Sequence, residues 1–267
     1  MTRTRLGRWA LQLVMPVGLV ALWWWTSADS TSYLYPPLSD VVTSLREDWF
    51  AERLSSDLVP SLGRFGAGYL ISAIVGVVAG TLIGLAPRVR LATLPVTEFV
   101  RSLPAPLLLP FAIVLFGIGN GSKVGLIVLG SVWPVLLNTV DGVRGVDPEV
   151  RDVARSFGIG WRLQISRVIL PAASPKIAAG LRVALSVALL LMLVSEMRTG
   201  TNGLGFQIRS AQRSFDTPDA YAGVIVIGTV GIVLNQVFVA LERRIMRWHH
   251  GARGLLDETG TAGGWLV

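Results

Sequence analysis

A chain of 267 residues that is 52% hydrophobic, only 15% charged and of mean hydropathy +0.58 is too apolar for an ordinary soluble domain, where about 25% of residues are charged. The absence of cysteine excludes disulfides, thiolate metal sites and a cysteine nucleophile, and the two histidines, His249 and His250, stand side by side in a polar tail. The formal charge of +7 fits Lys and Arg gathered in cytoplasmic loops of a polytopic membrane protein better than it fits a nucleic-acid partner, which is not expected.

About 20 apolar residues are needed to cross ~30 Å of hydrocarbon at ~1.5 Å per residue. Six stretches qualify, approximately 9–25, 65–85, 91–116, 124–140, 177–197 and 220–241. The expected fold is therefore all-α, a polytopic membrane helical bundle of about six spans in one transmembrane domain, 1–267, with its core at 58–245. The first stretch follows Arg3, Arg5 and Arg8. Thr26-Ser27-Ala28 faintly resembles a signal-peptidase site, but the tryptophans at 23, 24 and 25 suit an interfacial belt closing a retained span.

The second stretch carries Gly68, Ser72, Gly76, Gly80 and Gly84, a small residue at every fourth position. That register makes one smooth stripe down a helix, a packing face for another backbone. The third contains Glu98, Arg101 and the prolines 95, 104, 106 and 110, so a kinked or broken helix is expected, its polar groups facing protein or water. Glu98 and Arg101 lie three apart on one helical face and are placed to pair; they are also candidates for the translocation path or gate. GIGNGSK, 117–123, is the one P-loop-like run. It lacks the Ser or Thr required after Lys123 and reads as a turn.

Between the fourth and fifth stretches runs DPEVRDVARSFGIGWRLQISRVILP, residues 147–171. Asp147 is a good N-cap, Pro148 fits the first helical position, and Gly158 readily adopts the left-handed stop, giving a helix of about ten residues. Val150, Val153, Ala154 and Phe157 form its apolar face, while Arg151, Asp152 and Arg155 occupy the rest. After Gly158-Ile159-Gly160, Trp161, Ile165, Val168 and Ile169 continue the helical spacing until Pro171 is expected to close it. The fifth stretch ends near Glu196, a candidate path or gate carboxylate. Its alternative is an acid at a helix end that reaches water or pairs with Arg198 or an arginine from another span. Arg64 and Arg182, near span ends, are expected to snorkel, with anion attraction as the alternative, and 199–219 reads as an extracellular loop.

With the N-terminus inside, segments 1–8, 86–90, 141–176 and 242–267 hold 15 of the 24 basic residues. The positive-inside rule then places both termini and the 147–171 loop in the cytoplasm.

The run Asp152-Val153-Ala154, three residues, Gly158, nine residues, Val168, one residue, Leu170-Pro171 resembles the EAA loop of permease subunits in bacterial ABC importers. That pattern reads Glu-Ala-Ala, three residues, Gly, nine residues, Ile, one residue, Leu-Pro; this chain departs at Asp152, Val153 and Val168. LLPFAIVLFGIGNGSK, LLNTVDGVRGVDPE and GLRVALSVALLLMLVSEM extend the similarity over roughly residues 36–248. They are similar to the branch serving aliphatic sulfonates, taurine, nitrate or related small anions and some pyrimidine precursors.

The resemblance implies a multi-pass permease of the bacterial inner membrane that works as a homodimer with two ATPase subunits and an extracytoplasmic solute-binding protein. The chain itself would bind no cofactor, ATP and Mg residing on the ATPase. Val150, Asp152, Val153, Ala154, Phe157, Gly158, Leu170 and Pro171 would receive the ATPase as a coupling helix. Importers for a pyrimidine or thiamine precursor, and an ion-gradient-driven secondary transporter, are the alternatives. The secondary transporter would carry several intramembrane acids and broken helices in both halves. An intramembrane enzyme lacks metal-ligand histidines and a nucleophile–base pair.

Overall fold

The computed structural model describes residues 3–50 and 53–245, with side chains from Val14 onward. Arg247, His249, His250, Arg253 and the side chains of Arg3, Arg5 and Arg8 lie outside the described residues. The described chain is helical throughout: α1 (Arg3–Ser27), α2 (Leu38–Ser44), α3 (Val59–Leu85), α4 (Pro87–Ser102), α5 (Leu109–Phe116), α6 (Asn120–Arg144), α7 (Pro148–Ser156), α8 (Trp161–Gln164), α9 (Leu170–Thr199), α10 (Leu204–Arg213) and α11 (Thr217–Ile245).

Among the described residues, four helical runs are long and apolar enough to cross a membrane: Leu54–Leu85, Asn120–Arg144, Trp161–Thr199 and Thr217–Ile245. A fifth arises if Pro87–Ser102 and Ala105–Phe116 are counted as one span, bent by 100°. The polytopic helical bundle is thus present with four or five candidate spans among the described residues, not clearly six. Two causes account for the difference. The first expected span coincides with α1 (Arg3–Ser27), whose described apolar part is Val14–Ser27 and is not counted among the four. The third is broken at Leu103, whose extended backbone precedes Pro104, as the residue before a proline is driven out of the helical region.

Pro171 does not close its segment. A π-helical turn at Ile165–Ile169 joins α8 to α9 in one helical run, and Pro171 occupies the first turn of α9. Its missing N–H falls where the wider π turn already interrupts the regular hydrogen-bond ladder. The expected extracellular loop at 199–219 also changes, since half of it folds as α10.

The described helices fall into two compact units, one within Met1–Leu62 and Glu196–Thr229, the other within Gly63–Ser195 and Val230–Val267. In the second unit α6 is the centre, with 13 buried positions from Ser122 to Val143. Its neighbour α3 approaches along the small-residue stripe. A Cβ on Gly68 would lie 2.5 Å from Ile127, one on Gly76 2.7 Å from Val135, one on Gly80 2.7 Å from the Leu136 carbonyl oxygen, and one on Gly84 2.9 Å from Val143. Real Cβ atoms do not come that close, so the absence of side chains sets the interhelical distance. Ser72, within the stripe, donates to the Gly68 carbonyl and pairs with Ser131 Oγ at 2.8 Å, which satisfies both hydroxyls in a buried seam.

On its other side α6 meets α9 through Gly142, beside Ala173 and Lys176, and through Gly180, which faces Asn138 and the Pro134 carbonyl. Replacing Gly76 with valine is expected to destabilise the protein by about 1–3 kcal/mol through overpacking against Val135. Thermal unfolding in detergent reads this directly, and an unchanged melting point would show that the seam yields freely.

In the first unit three buried carboxylates among the described residues organise the chain. Asp219 accepts from Trp49 Nε1 at 2.8 Å, Arg53 Nη1 at 2.7 Å and Ser44 Oγ at 3.1 Å, tying the π-helical turn at Leu45–Phe50 to the start of α11. The other two, Asp57 and Glu196, belong to the site below.

Candidate functional site

The 147–171 segment folds as two short helices separated by a sharp turn. Asp147 caps α7 by accepting from the Glu149 N–H at 2.9 Å, and Pro148 loses no bond at the first helical position. At the other end Gly158, with φ +66°, donates to the Arg155 carbonyl at 2.9 Å while the Ile159 N–H reaches the Ala154 carbonyl at 3.1 Å. These two bonds and the left-handed residue make a Schellman stop, which a side chain at Gly158 would strain.

The apolar face divides in a way periodicity alone did not separate. Ala154 is buried, and the core beneath the loop is Val143, Val146, Ile169 and Ala173, with Ile165 and Ile177 packed against it. Val150, Val153 and Phe157 instead point outward, Phe157 being 81% exposed, and Trp161 and Leu163 from α8 are exposed as well. Arg151 fastens the loop to its own bundle by donating to the Val143 carbonyl. Asp152 pairs with Arg155 on the open face at 3.2 Å. Leu170 and Pro171 are half-buried in the first turn of α9. Trp161 was read in the sequence only as part of the helical spacing toward Pro171, and Leu163 was not singled out; the signal for their shared exposed face was a second amphipathic turn immediately after the glycine stop.

Glu196 neither reaches water nor sits at a frayed helix end. It is fully buried, accepts from Ser61 Oγ at 2.8 Å and from the Gly205 N–H at 3.1 Å, and packs so tightly that a Cβ on Gly203 would lie 2.5 Å from its carboxylate carbon. Asp57, also buried, accepts from the Gly203 N–H at 2.6 Å and Gln207 Nε2 at 3.0 Å, while Ser61 Oγ accepts from the Leu204 N–H at 3.0 Å. Two acids and one hydroxyl thus hold three successive backbone N–H groups of the glycine-rich turn before α10. Asp57 and Ser61 were missed in the sequence, where they read as ordinary polar residues ahead of a span.

Glu98 and Arg101 form an ion pair at 2.6 Å on α4, each side chain more than half exposed. No residue of α4 is buried. Two cavities flank this helix. One of about 350 Å³ includes Arg101, Leu103, Trp133, Asn138 and Val183 in its lining; the buried indole N–H of Trp133 has no partner among the described residues. The other, of about 200 Å³, is lined by Arg90, Thr93, Thr97, Glu98, Arg101, Asp141 and Arg144 together with apolar side chains of α3, α4 and α6. Arg64 does not reach out of the bundle: it is buried and donates to Asn120 Oδ1 at 2.8 Å, whereas Arg182 is half exposed and pairs with Glu242 over the ring of Phe238. The GIGNGSK run is a turn at Gly117 and Gly119, both with positive φ, followed by the first residues of α6.

Long apolar helices, a bent polar helix beside cavities and a capped helix pair with an exposed apolar face are the features of a polytopic membrane protein. The chain belongs to the family of binding-protein-dependent transport system inner membrane components, whose model matches residues 72–248. It is a permease of an ABC-importer system, which has ATPase and solute-binding components.

SsuC of Bacillus subtilis (strain 168), a permease protein named for aliphatic sulfonates transport, is 34% identical over 94% of this chain and 92% of its own. The taurine transport system permease protein TauC of Escherichia coli (strain K12) is 33% identical over 91% of this chain and 93% of its own. Among solved structures, the inward-facing MetNI methionine ABC transporter superposes with a TM-score of 0.58 at 16% identity, covering 70% of this chain and 92% of that one; this likeness is one of fold. Family membership sets aside the ion-gradient-driven alternative.

Proposed function

We propose that this permease forms the membrane path for a small organic anion such as an aliphatic sulfonate or taurine, or for nitrate, and that residues 1–267 act as one permease domain. The similarity to SsuC and TauC over more than nine tenths of the chain carries the substrate class. An importer for a pyrimidine or thiamine precursor is the second reading on resemblance alone, and the arginines along α4 and α6 favour the anion.

Two copies form the pathway, because one copy leaves α4 without a buried residue and the most apolar stretch of α11 without a fully buried one; apolar helix faces left so open find partners in a second copy or lipid. Each copy receives an ATPase subunit on the exposed face of Val150, Val153, Phe157, Trp161 and Leu163, with Asp152 at its rim, Ala154, Leu170 and Pro171 seating the helix pair from behind, and Gly158 setting the exit angle. Approach of the two ATPase subunits moves these rigid loops, and the helices continuous with them tilt between inward-open and outward-open states. The glycine turn held by Glu196 lies on the extracytoplasmic side in the N-in, C-in orientation, where a solute-binding protein delivers substrate.

The test is ATP-dependent uptake in proteoliposomes holding permease, ATPase and binding protein. Taurine or an alkanesulfonate should accumulate only when all three are present. Accumulation of a solute without a sulfonate or comparable oxyanion group instead would overturn the substrate class.

A further inference from the structure

Arg101 belongs to the walls of both cavities beside α4. The smaller cavity carries three guanidinium groups, Arg90, Arg101 and Arg144, against two carboxylates, Glu98 and Asp141. The charges are arranged alike on the two helices: Glu98 with Arg101 on α4 at 2.6 Å, Asp141 with Arg144 on α6 at 3.9 Å, each acid three residues before its arginine. All four of these side chains are about half exposed or more, and Arg90 has no ion pair among the described residues.

Glu98 and Arg101 fall inside the third apolar stretch, where charged groups are costly and persist where they line water or a solute path; Arg90, Asp141 and Arg144 stand in the segments read as cytoplasmic, at the inner end of the same cavity. A pair held only for helix stability gains nothing from facing a cavity, since an exposed i,i+3 pair contributes little. The arrangement has a different consequence for a passing anion. An excess of one guanidinium attracts it, and each internal carboxylate competes with it for the same donors.

We propose that the wall shared by α4 and α6 is a low-affinity transit site for the oxyanion head of the substrate, in which Arg101 exchanges Glu98 for the sulfonate and passes it toward Arg90 and Arg144. Glu98 and Asp141 keep the affinity low, so the anion is released instead of trapped. This rests on the anion-import reading. It adds the residues that hold the anion and the device that lets it go.

The two members of the pair then have opposite effects, which a structural ion pair cannot produce, because breaking it from either side removes the same interaction. Equilibrium binding of ethanesulfonate to the assembled permease–ATPase complex, without binding protein and at fixed ionic strength, reads the difference. Glu98→Gln should tighten binding by about tenfold, and Arg101→Gln should weaken it by about tenfold or more, the scale of one charge-assisted hydrogen bond. Arg101→Lys should restore part of the affinity by keeping the charge without the fork, and the double variant should follow Arg101→Gln. In uptake, Glu98→Gln should lower both KM and turnover.

Equal shifts in one direction for the two single variants, or no binding by the wild type, would overturn the proposal. If ethanesulfonate binds and the variants diverge while proteoliposomes take up no organic anion, the import reading fails and the site stands. If anion uptake is intact and the variants do not diverge, the transit site alone is wrong.

Discussion

Truncating Phe157 to alanine is expected to weaken association of the permease with its ATPase by about 30-fold, the scale of removing an aromatic anchor worth about 2 kcal/mol from an interface centre. Phe157 is 81% exposed at the C-terminal end of α7, beyond the positions that secure the loop to its own bundle. Its loss should therefore leave the melting point of the isolated permease unchanged, which separates a docking role from a folding role.

Gly158→Asp should be more severe. The residue sits at φ +66° with no neighbouring atom within 4 Å of an added Cβ. Space is thus available, but a side chain there meets left-handed strain and the carboxylate brings a charge beside the exposed apolar face. Gly158→Ala carries only the strain, about 1 kcal/mol, and should retain assembly in part. Co-purification with the ATPase and transport-coupled ATP hydrolysis are the measurements. Wild-type behaviour of both Phe157→Ala and Gly158→Asp would mean that the ATPase is received elsewhere.

Glu196→Ala is expected to destabilise the permease by about 3 kcal/mol, since it leaves buried donors without their acceptor. Ser61 Oγ and the Gly205 N–H lose their partner together, and the space beside Gly203 opens. Glu196→Gln keeps the volume and one carbonyl acceptor but turns an NH₂ toward donors, so its loss should be smaller. Asp57→Asn should resemble it, because the Gly203 N–H and Gln207 Nε2 converge on the two oxygens of Asp57. Thermal unfolding in detergent ranks the three variants, and limited proteolysis at 198–205 reports whether the glycine turn has come loose. A Glu196→Ala protein that melts with the wild type and resists cleavage there would remove the carboxylate from any role in holding that turn.

How far each element could be read in advance followed from how local its cause was. The α7 helix was legible to within a residue or two because its determinants, Asp147, Pro148 and Gly158, act on their own backbone. The break in the third span was legible for the same reason, proline acting on the residue before it. The helix across Pro171 was not legible, because a π turn upstream absorbed the missing N–H, and that turn depends on how Ile165 and Ile169 pack beneath the loop. The division of the α7 apolar face was equally hidden. Ala154 and Val153 are alike to a periodicity count, and only the position of the bundle decides that one is covered and the other is not.

By itself, the sequence determined that this is a helical membrane protein, which of its loops carries an amphipathic helix pair, and which family it resembles. Hydropathy, capping and spacing are properties of neighbouring residues and survive without a fold. Only the tertiary structure decided that Glu196 joins Asp57 and Ser61 around a glycine turn, and that Arg101 is shared between two cavities. Glu196 and Ser61 are 135 residues apart, and no local pattern encodes a partner at that distance. Such contacts exist because burial leaves a polar group no water to bond, so each must find its partner wherever the folded chain brings one.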